Sequence, residues 1–270
     1  MSEAIPAVRT HPAQSMEVLP ALGKIIFSFA NVALGAETLF LARHATHALG
    51  PRYQVIPVIP WLPAISWLAY AFGAIWIACG VGLLFPRTVR AAALFLGGLL
   101  FLCTLILEVP KNAANFGSMS LRTGVFEPLS LACIAWLLPR PGAFSNLLVR
   151  SAQILLALSL IVFGVDHFLG LAFIASLIPA WIPWRVFWVA FFGAAFIAAG
   201  LGFALNYLQR WGALGLGSMF GIWVFTLHLP RVLGLYGIPG APHNPNEWSS
   251  LFIAIALWGG LWALARNQTS

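Results

Sequence analysis

Eight long apolar segments make up most of this chain and constrain its fold more than any other feature. A helix needs about 20 mostly apolar residues to cross a bilayer. We therefore expect an all-α membrane protein with eight transmembrane helices and the lipid bilayer as its surroundings. The segments cover approximately residues 25–42, 61–85, 90–110, 123–138, 150–176, 184–206, 209–230 and 247–265.

The composition excludes a water-soluble globule. Only 8% of the residues are charged and 61% are hydrophobic, whereas soluble domains have about 25% charged and 45–50% apolar residues. The apolar segments are continuous rather than alternating, which favours helices over an outer-membrane barrel. The net charge of +7 comes from scattered Lys and Arg residues. They indicate no nucleic-acid partner and are interpreted as determinants of membrane topology.

The two halves of the chain contain an internal repeat. Trp61-Leu62-Pro63 recurs as Trp181-Ile182-Pro183, 120 residues later, and the same offset links further glycines, arginines and prolines, and Glu127 with Glu247. Gly35-Ala36-Glu37 matches Gly164-Val165-Asp166 at an offset of 129. We predict two four-helix repeats, residues 24–140 and 149–266, flanked by tails of residues 1–23 and 267–270. Because four spans return the chain to its starting side, the repeats are parallel rather than inverted.

The basic residues indicate an orientation. If the N-terminus lies on side Y of the membrane, that side has eight Lys or Arg residues and the opposite side, X, has six. Cytoplasmic loops carry an excess of positive residues. We therefore predict a multi-pass protein of the inner (plasma) membrane with both termini in the cytoplasm.

The acidic residues of the membrane domain all fall toward side X. Each half has one acid late in its first helix and one at the predicted start of its fourth. Each third helix ends in an acid or imidazole three residues before a cation, so both side chains share a helix face. An intervening proline removes a backbone donor and frees carbonyl groups. A polar cluster at side X is therefore predicted in each half, with Glu37, Glu108, Lys111 and Glu127 in the first and Asp166, His167, His228, Arg231 and Glu247 in the second.

The second cluster is the richer candidate pocket, although no catalytic residue is assigned. Carboxylates and imidazoles can relay protons, bind a divalent metal or hydrogen-bond a quinone carbonyl. The spacing does not choose among these, and the sequence contains no metal or haem motif. A structural interpretation is also open: Glu37 pairs with Lys111 and Asp166 with Arg231 as ties between helices. Glu127 and Glu247 would then lie at helix N-termini, where the macrodipole favours carboxylates.

Four stretches resemble the DoxX-type membrane proteins. They are Phe163-Gly164-Val165-Asp166-His167-Phe168, Leu177-Ile178-Pro179-Ala180-Trp181-Ile182-Pro183-Trp184, His228-Leu229-Pro230-Arg231 and Asn246-Glu247-Trp248. That family has a four-helix unit, and this chain resembles two such units fused after Lys24. The first half departs from the pattern, because Glu108 replaces the histidine and the first loop is longer.

The resemblance implies fold more firmly than function. The family name comes from a membrane subunit of a thiosulfate:quinone oxidoreductase, and some relatives are associated with membrane redox complexes. It therefore implies a component of a redox or quinone-linked system, with quinone as the possible cofactor and redox proteins as possible partners. In that hypothesis Arg231 holds an anionic or carbonyl group while His228 and an acid move protons. Two alternatives stay open: a small-solute transporter or permease, and a non-catalytic assembly or anchoring protein.

Overall fold

The computed structural model describes residues 18–44, 66–113, 116–238 and 240–266. Within these ranges the protein consists of helices and turns, without strands. Two π-helical segments, Thr104–Glu108 and Val224–His228, continue helices α3 and α9, and a 3₁₀ turn spans Ala241–His243. The helices are α1 (Val18–His44), α2 (Ser66–Gly82), α3 (Val89–Cys103), α4 (Val109–Asn112), α5 (Met119–Leu137), α6 (Asn146–Leu169), α7 (Leu171–Leu177), α8 (Arg185–Leu205), α9 (Gln209–Trp223), α10 (Leu229–Val232) and α11 (Pro245–Leu264).

The described helices confirm a multi-pass membrane architecture. Six continuous helical stretches are long and apolar enough to cross a membrane: Val18–Leu41, Val89–Glu108, Asn146–Leu169, Arg185–Leu205, Gln209–Val232 and Pro245–Leu264. In α2 the apolar stretch Trp67–Gly82 is shorter. α5 has 19 residues but includes the charged Arg122 and Glu127.

The long helices contact one another in a closed order. α1 packs on α2, α2 on α3, α3 on α5, α5 on α6, α6 on α8, α8 on α9, α9 on α11, and α11 on α1. α5 and α11 also contact each other across the middle. The first helix of each half therefore packs extensively on the fourth helix of the other half.

Small residues allow the closest helix pairs to form. Gly35 of α1 faces Gly73 of α2 so closely that an added Cβ on either would lie 2.9 Å from the carbonyl oxygen of the other. Gly164 of α6 and Gly193 of α8 make the corresponding contact in the second half. Close packing of this kind is how helices associate in lipid, where the surrounding tails are as apolar as the side chains. The glycines thus bring α1 against α2 and α6 against α8.

Two expected boundaries differ from the helices of the structure. α1 begins at Val18, inside the segment that was expected to be a tail. The predicted span over residues 150–176 is interrupted at Gly170, where α6 ends and the short α7 begins. Gly170 lies against Met119, at the start of α5, so closely that a Cβ there would come within 2.6 Å of its sulfur. The Trp61-Leu62-Pro63 motif lies outside the described residues.

Candidate functional site

Both third-helix motifs fold as π-helical segments that precede a proline. Pro110 and Pro230 each lie in the first turn of the short helix that follows. Because Pro230 has no N–H group, the carbonyl of Thr226, four residues earlier, lacks its usual helical donor. The Tyr236 hydroxyl donates to that carbonyl at 2.5 Å. The expected freed carbonyl is therefore present, and a side chain from the following turn uses it.

Arg231 and Glu247 form a bidentate ion pair between α10 and α11. The Nε group of Arg231 donates to Oε2 of Glu247 at 2.8 Å, and Nη2 donates to Oε1 at 2.5 Å. Glu247 lies in the first turn of α11, as predicted, after Asn244, whose side chain accepts from the backbone N–H of Asn246. The pair joins α10 to α11, and Arg231 lies about one helical turn after His228.

His167 and His228 line the same cavity, which has a volume of about 170 Å³. Nδ1 of His167 lies 2.7 Å from the carbonyl oxygen of Phe163. Since a carbonyl only accepts, Nδ1 carries the proton, and Nε2 of the neutral ring is left as an acceptor. His228 enters the cavity from the second π-helical segment.

Aromatic and aliphatic side chains form the rest of this cavity. The ring of Phe196 lies 5.1 Å from that of His167 and 5.7 Å from that of Phe220, measured between centroids. Phe192 and Trp223 make a further edge-on contact at 5.4 Å. The walls come from α6, α7, α8, α9 and the second π-helical segment, all in the second half. The cavity is therefore a mostly apolar chamber, and two of the described residues that line it are histidines.

Asp166 lies outside this chamber and pairs with Arg122, so the predicted Asp166–Arg231 tie is wrong. The Nε and Nη2 groups of Arg122 both donate to Oδ1 of Asp166, the former at 2.8 Å. Nη1 of Arg122 donates to the carbonyls of Phe116 and Gly117. Asp166 is only 4% exposed, and its Oδ2 accepts no hydrogen bond from the residues that the structure describes. The ion pair joins α5 to α6 and hence one half of the chain to the other.

The first-half residues are more dispersed than predicted. Glu37 accepts a hydrogen bond at 2.8 Å from Ser249 of α11. Glu108 ends the first π-helical segment, whereas the side chain of Lys111, its expected partner, lies outside the described residues. Glu127 is wrongly placed by the prediction: α5 begins at Met119, so this acid lies two turns inside the helix rather than at its N-terminus.

The five predicted residues of the second half thus divide into three groups. His167 and His228 share the cavity, Arg231 and Glu247 pair beside it, and Asp166 pairs elsewhere. The sequence reasoning missed Arg122, which was counted only among topology residues. Its position on side X, close to the start of α5, was a usable signal, because a buried Asp166 requires a cation at the same depth.

Among the described residues, no group of three or more His, Cys, Asp or Glu side chains could hold a metal ion. Comparison with known proteins adds no constraint. No family model matches the chain, and neither a curated protein nor a solved structure matches it.

Proposed function

We propose that this chain is a DoxX-like component of a quinone-linked redox system of the inner membrane, and that the His167–His228 cavity receives the quinone ring. The observation that carries the proposal is the presence of two imidazoles in one small chamber walled by aromatic rings. Small-molecule binding sites in proteins are typically mostly apolar, with a few polar groups that fix the orientation of the ligand.

The eight-span, two-repeat architecture belongs to the same proposal. The two π-helical segments begin at Thr104 and Val224, 120 residues apart, and the paired glycine contacts repeat with the offsets of 120 and 129 found in the sequence. On the fourth helices, Trp136 packs on Gly97 and Trp262 packs on Gly217. Those tryptophans are 126 residues apart, which suggests that the fourth helices are shifted by six residues and that Glu127 and Glu247 are not equivalent.

The size of the cavity agrees with a single ring. An apolar protein cavity of about 150 Å³ can hold a benzene molecule, and this one measures about 170 Å³. A six-membered ring therefore fits, while an attached isoprenoid chain would have to leave toward the lipid. The edge-on rings of Phe196 and Phe220 provide an apolar wall against which such a ring can pack.

A quinone supplies two-electron, two-proton redox chemistry when bound. In this chamber, Nε2 of a neutral His167 accepts a hydrogen bond from a ligand hydroxyl, since Nδ1 is committed to Phe163. A protonated ring donates from Nε2 to a ligand carbonyl instead. His228 faces the same space and can hold or transfer a second proton. Arg231 acts by positioning the His228 segment, because Glu247 occupies its Nε and Nη2 groups.

Direct binding tests the proposal. We expect a short-chain quinone analogue to bind the purified protein, and we expect His167→Leu and His228→Leu each to weaken binding about tenfold or more, as the loss of a hydrogen bond in an apolar site predicts. The matched control is Gln153→Leu, because Gln153 lies on α6 like His167 but lines a different pocket. The proposal fails if the analogue does not bind, or if only the control substitution weakens binding.

A further inference from the structure

A polar pocket with a volume of about 480 Å³ lies at the end of the helices that is remote from the histidine chamber. Asn146, the first residue of α6, lines this pocket and precedes His167 on the same helix by 21 residues, or roughly 30 Å at 1.5 Å per residue. The helices α5, α6, α8, α9 and α11 all contribute to its walls. None of its lining residues belongs to the histidine chamber.

The helices around this pocket close it toward lipid. α5 packs on α6, α6 on α8, α8 on α9, α9 on α11, and α11 on α5. The turn that follows α5 also lines the pocket, and its residues Arg140, Pro141 and Gly142 are exposed. Because this turn lies beyond the end of α5, the pocket opens toward water at the ends of the helices. A ligand therefore reaches it from the aqueous phase.

Two arginines place positive charge in the pocket. Arg140 is exposed, and its guanidinium has no hydrogen-bond or ion-pair partner among the described residues. Nη2 of Arg266 donates to the carbonyls of Leu137 and Pro139, at 2.7 and 2.8 Å. These two bonds hold the guanidinium of Arg266 against the end of α5. The pocket thus combines one fixed cation with one that is available to a ligand.

A third cation adds to the positive charge at this end. Lys24 of α1 lies close enough to Arg140 and Arg266 for their charges to repel its ammonium group. None of the described residues that line the pocket is acidic. Like charges that gather in one place destabilise one another. An anion bound in the pocket would offset this repulsion.

The phosphate group of a monoester suits this arrangement better than a carboxylate does. It carries about 1.5–2 negative charges at pH 7 on one compact group, whereas a carboxylate carries one. The planar guanidinium of an arginine binds phosphate oxygens through paired N–H donors. The side-chain amide of Asn146, which is exposed and lines the same pocket, can donate to a further oxygen. Phe144 and Trp136 form an apolar wall beside these polar groups.

We propose that this pocket binds a water-soluble phosphate monoester with a small apolar body. The phosphate group bonds to Arg140 beside the positive charge of Arg266, and the body packs against Phe144 and Trp136. The volume agrees with such a ligand, because small-molecule sites measure about 300–1,000 Å³. The site is independent of the quinone proposal, since the two cavities share no lining residue.

Calorimetric titration of the purified full-length protein tests this site. The protein is placed in nanodiscs of phosphatidylcholine, the probe is phenyl phosphate, and phenol is the uncharged comparison. We expect phenyl phosphate to bind at least tenfold more tightly than phenol. Arg140→Gln should weaken its binding about tenfold or more, as the loss of a charge-assisted hydrogen bond predicts. Arg87→Gln is the matched control, because Arg87 is also an exposed arginine in a turn but does not line the pocket.

A steric variant tests the pocket without removing a charge. Asn146→Trp places a large side chain in the pocket and should abolish the binding of phenyl phosphate. Leu147→Trp is its matched control, because Leu147 is the next residue along α6, is 79% exposed and does not line the pocket. This control should bind the probe as the wild type does.

Several results would overturn the proposal. Absence of binding, or equal binding of phenyl phosphate and phenol, would show that the pocket does not select a phosphate group. Equal weakening by Arg140→Gln and Arg87→Gln would indicate a general attraction to the positive surface. Loss of phenyl phosphate binding when phosphatidylglycerol is added to the nanodiscs would assign the pocket to a lipid headgroup and contradict a ligand from the aqueous phase.

Discussion

The ion pair between Arg122 and Asp166 is the contact whose loss should cost the most stability. Asp166 is buried, and Arg122 is its charged partner. Removing one member of a buried pair leaves an uncompensated charge, which costs about 3–5 kcal/mol. We therefore expect Arg122→Ala to lower the unfolding temperature of the purified protein in detergent substantially, as measured by circular dichroism.

The second ion pair provides the comparison. The side chains of Arg231 and Glu247 are 18% and 17% exposed, so water can solvate Glu247 after Arg231→Ala and the loss should be smaller. Replacing both members of the buried pair, as Arg122→Met with Asp166→Leu, should restore most of the stability, because no charge is then left unpaired. If Arg122→Ala unfolds at the wild-type temperature, the pair does not hold the two halves together.

At the scale of single residues, the sequence predicts where the acids lie better than what they bind. Asp166 follows an apolar run, so its burial was foreseeable, and a cap of Asn244 and Pro245 places Glu247 in a first helical turn. The partners Arg122 and Ser249 come from the fourth helix of the opposite half. Spacing along the chain carries no information about that choice, because it depends on which helices become neighbours.

Among the structural elements, the second π-helical segment depends on a hydrogen bond from outside the helix. Tyr236→Phe removes the donor to the Thr226 carbonyl and should destabilise the protein by about 1 kcal/mol. In a Pro230→Ala background, the backbone N–H of residue 230 can donate to the Thr226 carbonyl instead. Tyr236→Phe should then lower the free energy of unfolding by less than it does in the wild type. A double-mutant cycle of thermal unfolding measures the difference. The same cost in both backgrounds would contradict the role given to the proline.

Glycine contacts set the distance between paired helices. A Cβ on Gly164 would lie 2.6 Å from the carbonyl oxygen of Gly193, whereas a Cβ on Gly98 of α3 would meet nothing within 4 Å. We expect Gly164→Leu to separate α6 from α8 and to abolish stable expression in the membrane. Gly98→Leu should be tolerated, which fluorescence-detected size-exclusion chromatography of solubilised membranes can check. Similar profiles for both variants would mean that the close approach is not required.

Helix positions were largely predictable, because continuous apolar segments and the residues that bound them mark where spans begin and end. The start of α8 at Arg185 and the end of α10 at Val232 lie within two residues of the predicted ends. The break at Gly170 was not predictable in the same way. It lies within a continuous apolar run, and the contact of Gly170 with Met119 comes from a different helix.

At the scale of the whole molecule, parallel repeats predict which turns face the same side of the membrane. The turn after α2 contains Arg87 and the turn after α8 contains Tyr207, and both residues are exposed. In a variant without Cys79, Cys103 and Cys133, Arg87→Cys and Tyr207→Cys should both react with a membrane-impermeant maleimide only from the cytoplasm. Leu235→Cys should react only from outside. Inverted repeats would place the first two on opposite sides.

The closed order of the helices is the part of the fold that the sequence left open. Each four-helix repeat was expected to build its own polar cluster, yet α1 and α6 each place their acid against the fourth helix of the other half. Local sequence patterns define the helices, whereas the pairing of each first helix with the fourth helix of the other half depends on how whole helix faces pack. The histidine chamber was accessible to prediction because its elements all come from one half.

The quinone content of the protein, extracted gently from its own membrane, tests the central claim most directly. Mass spectrometry should find quinone in an amount proportional to the wild-type protein. The Ile174→Trp variant should contain much less, because the larger side chain fills the His167–His228 cavity. This variant should keep the helicity and monodispersity of the wild type. Ala198→Phe should retain the quinone of the wild type, because it fills a different groove. Wild-type protein without quinone, or an Ile174→Trp variant that retains it in full, would contradict the assignment of this chamber.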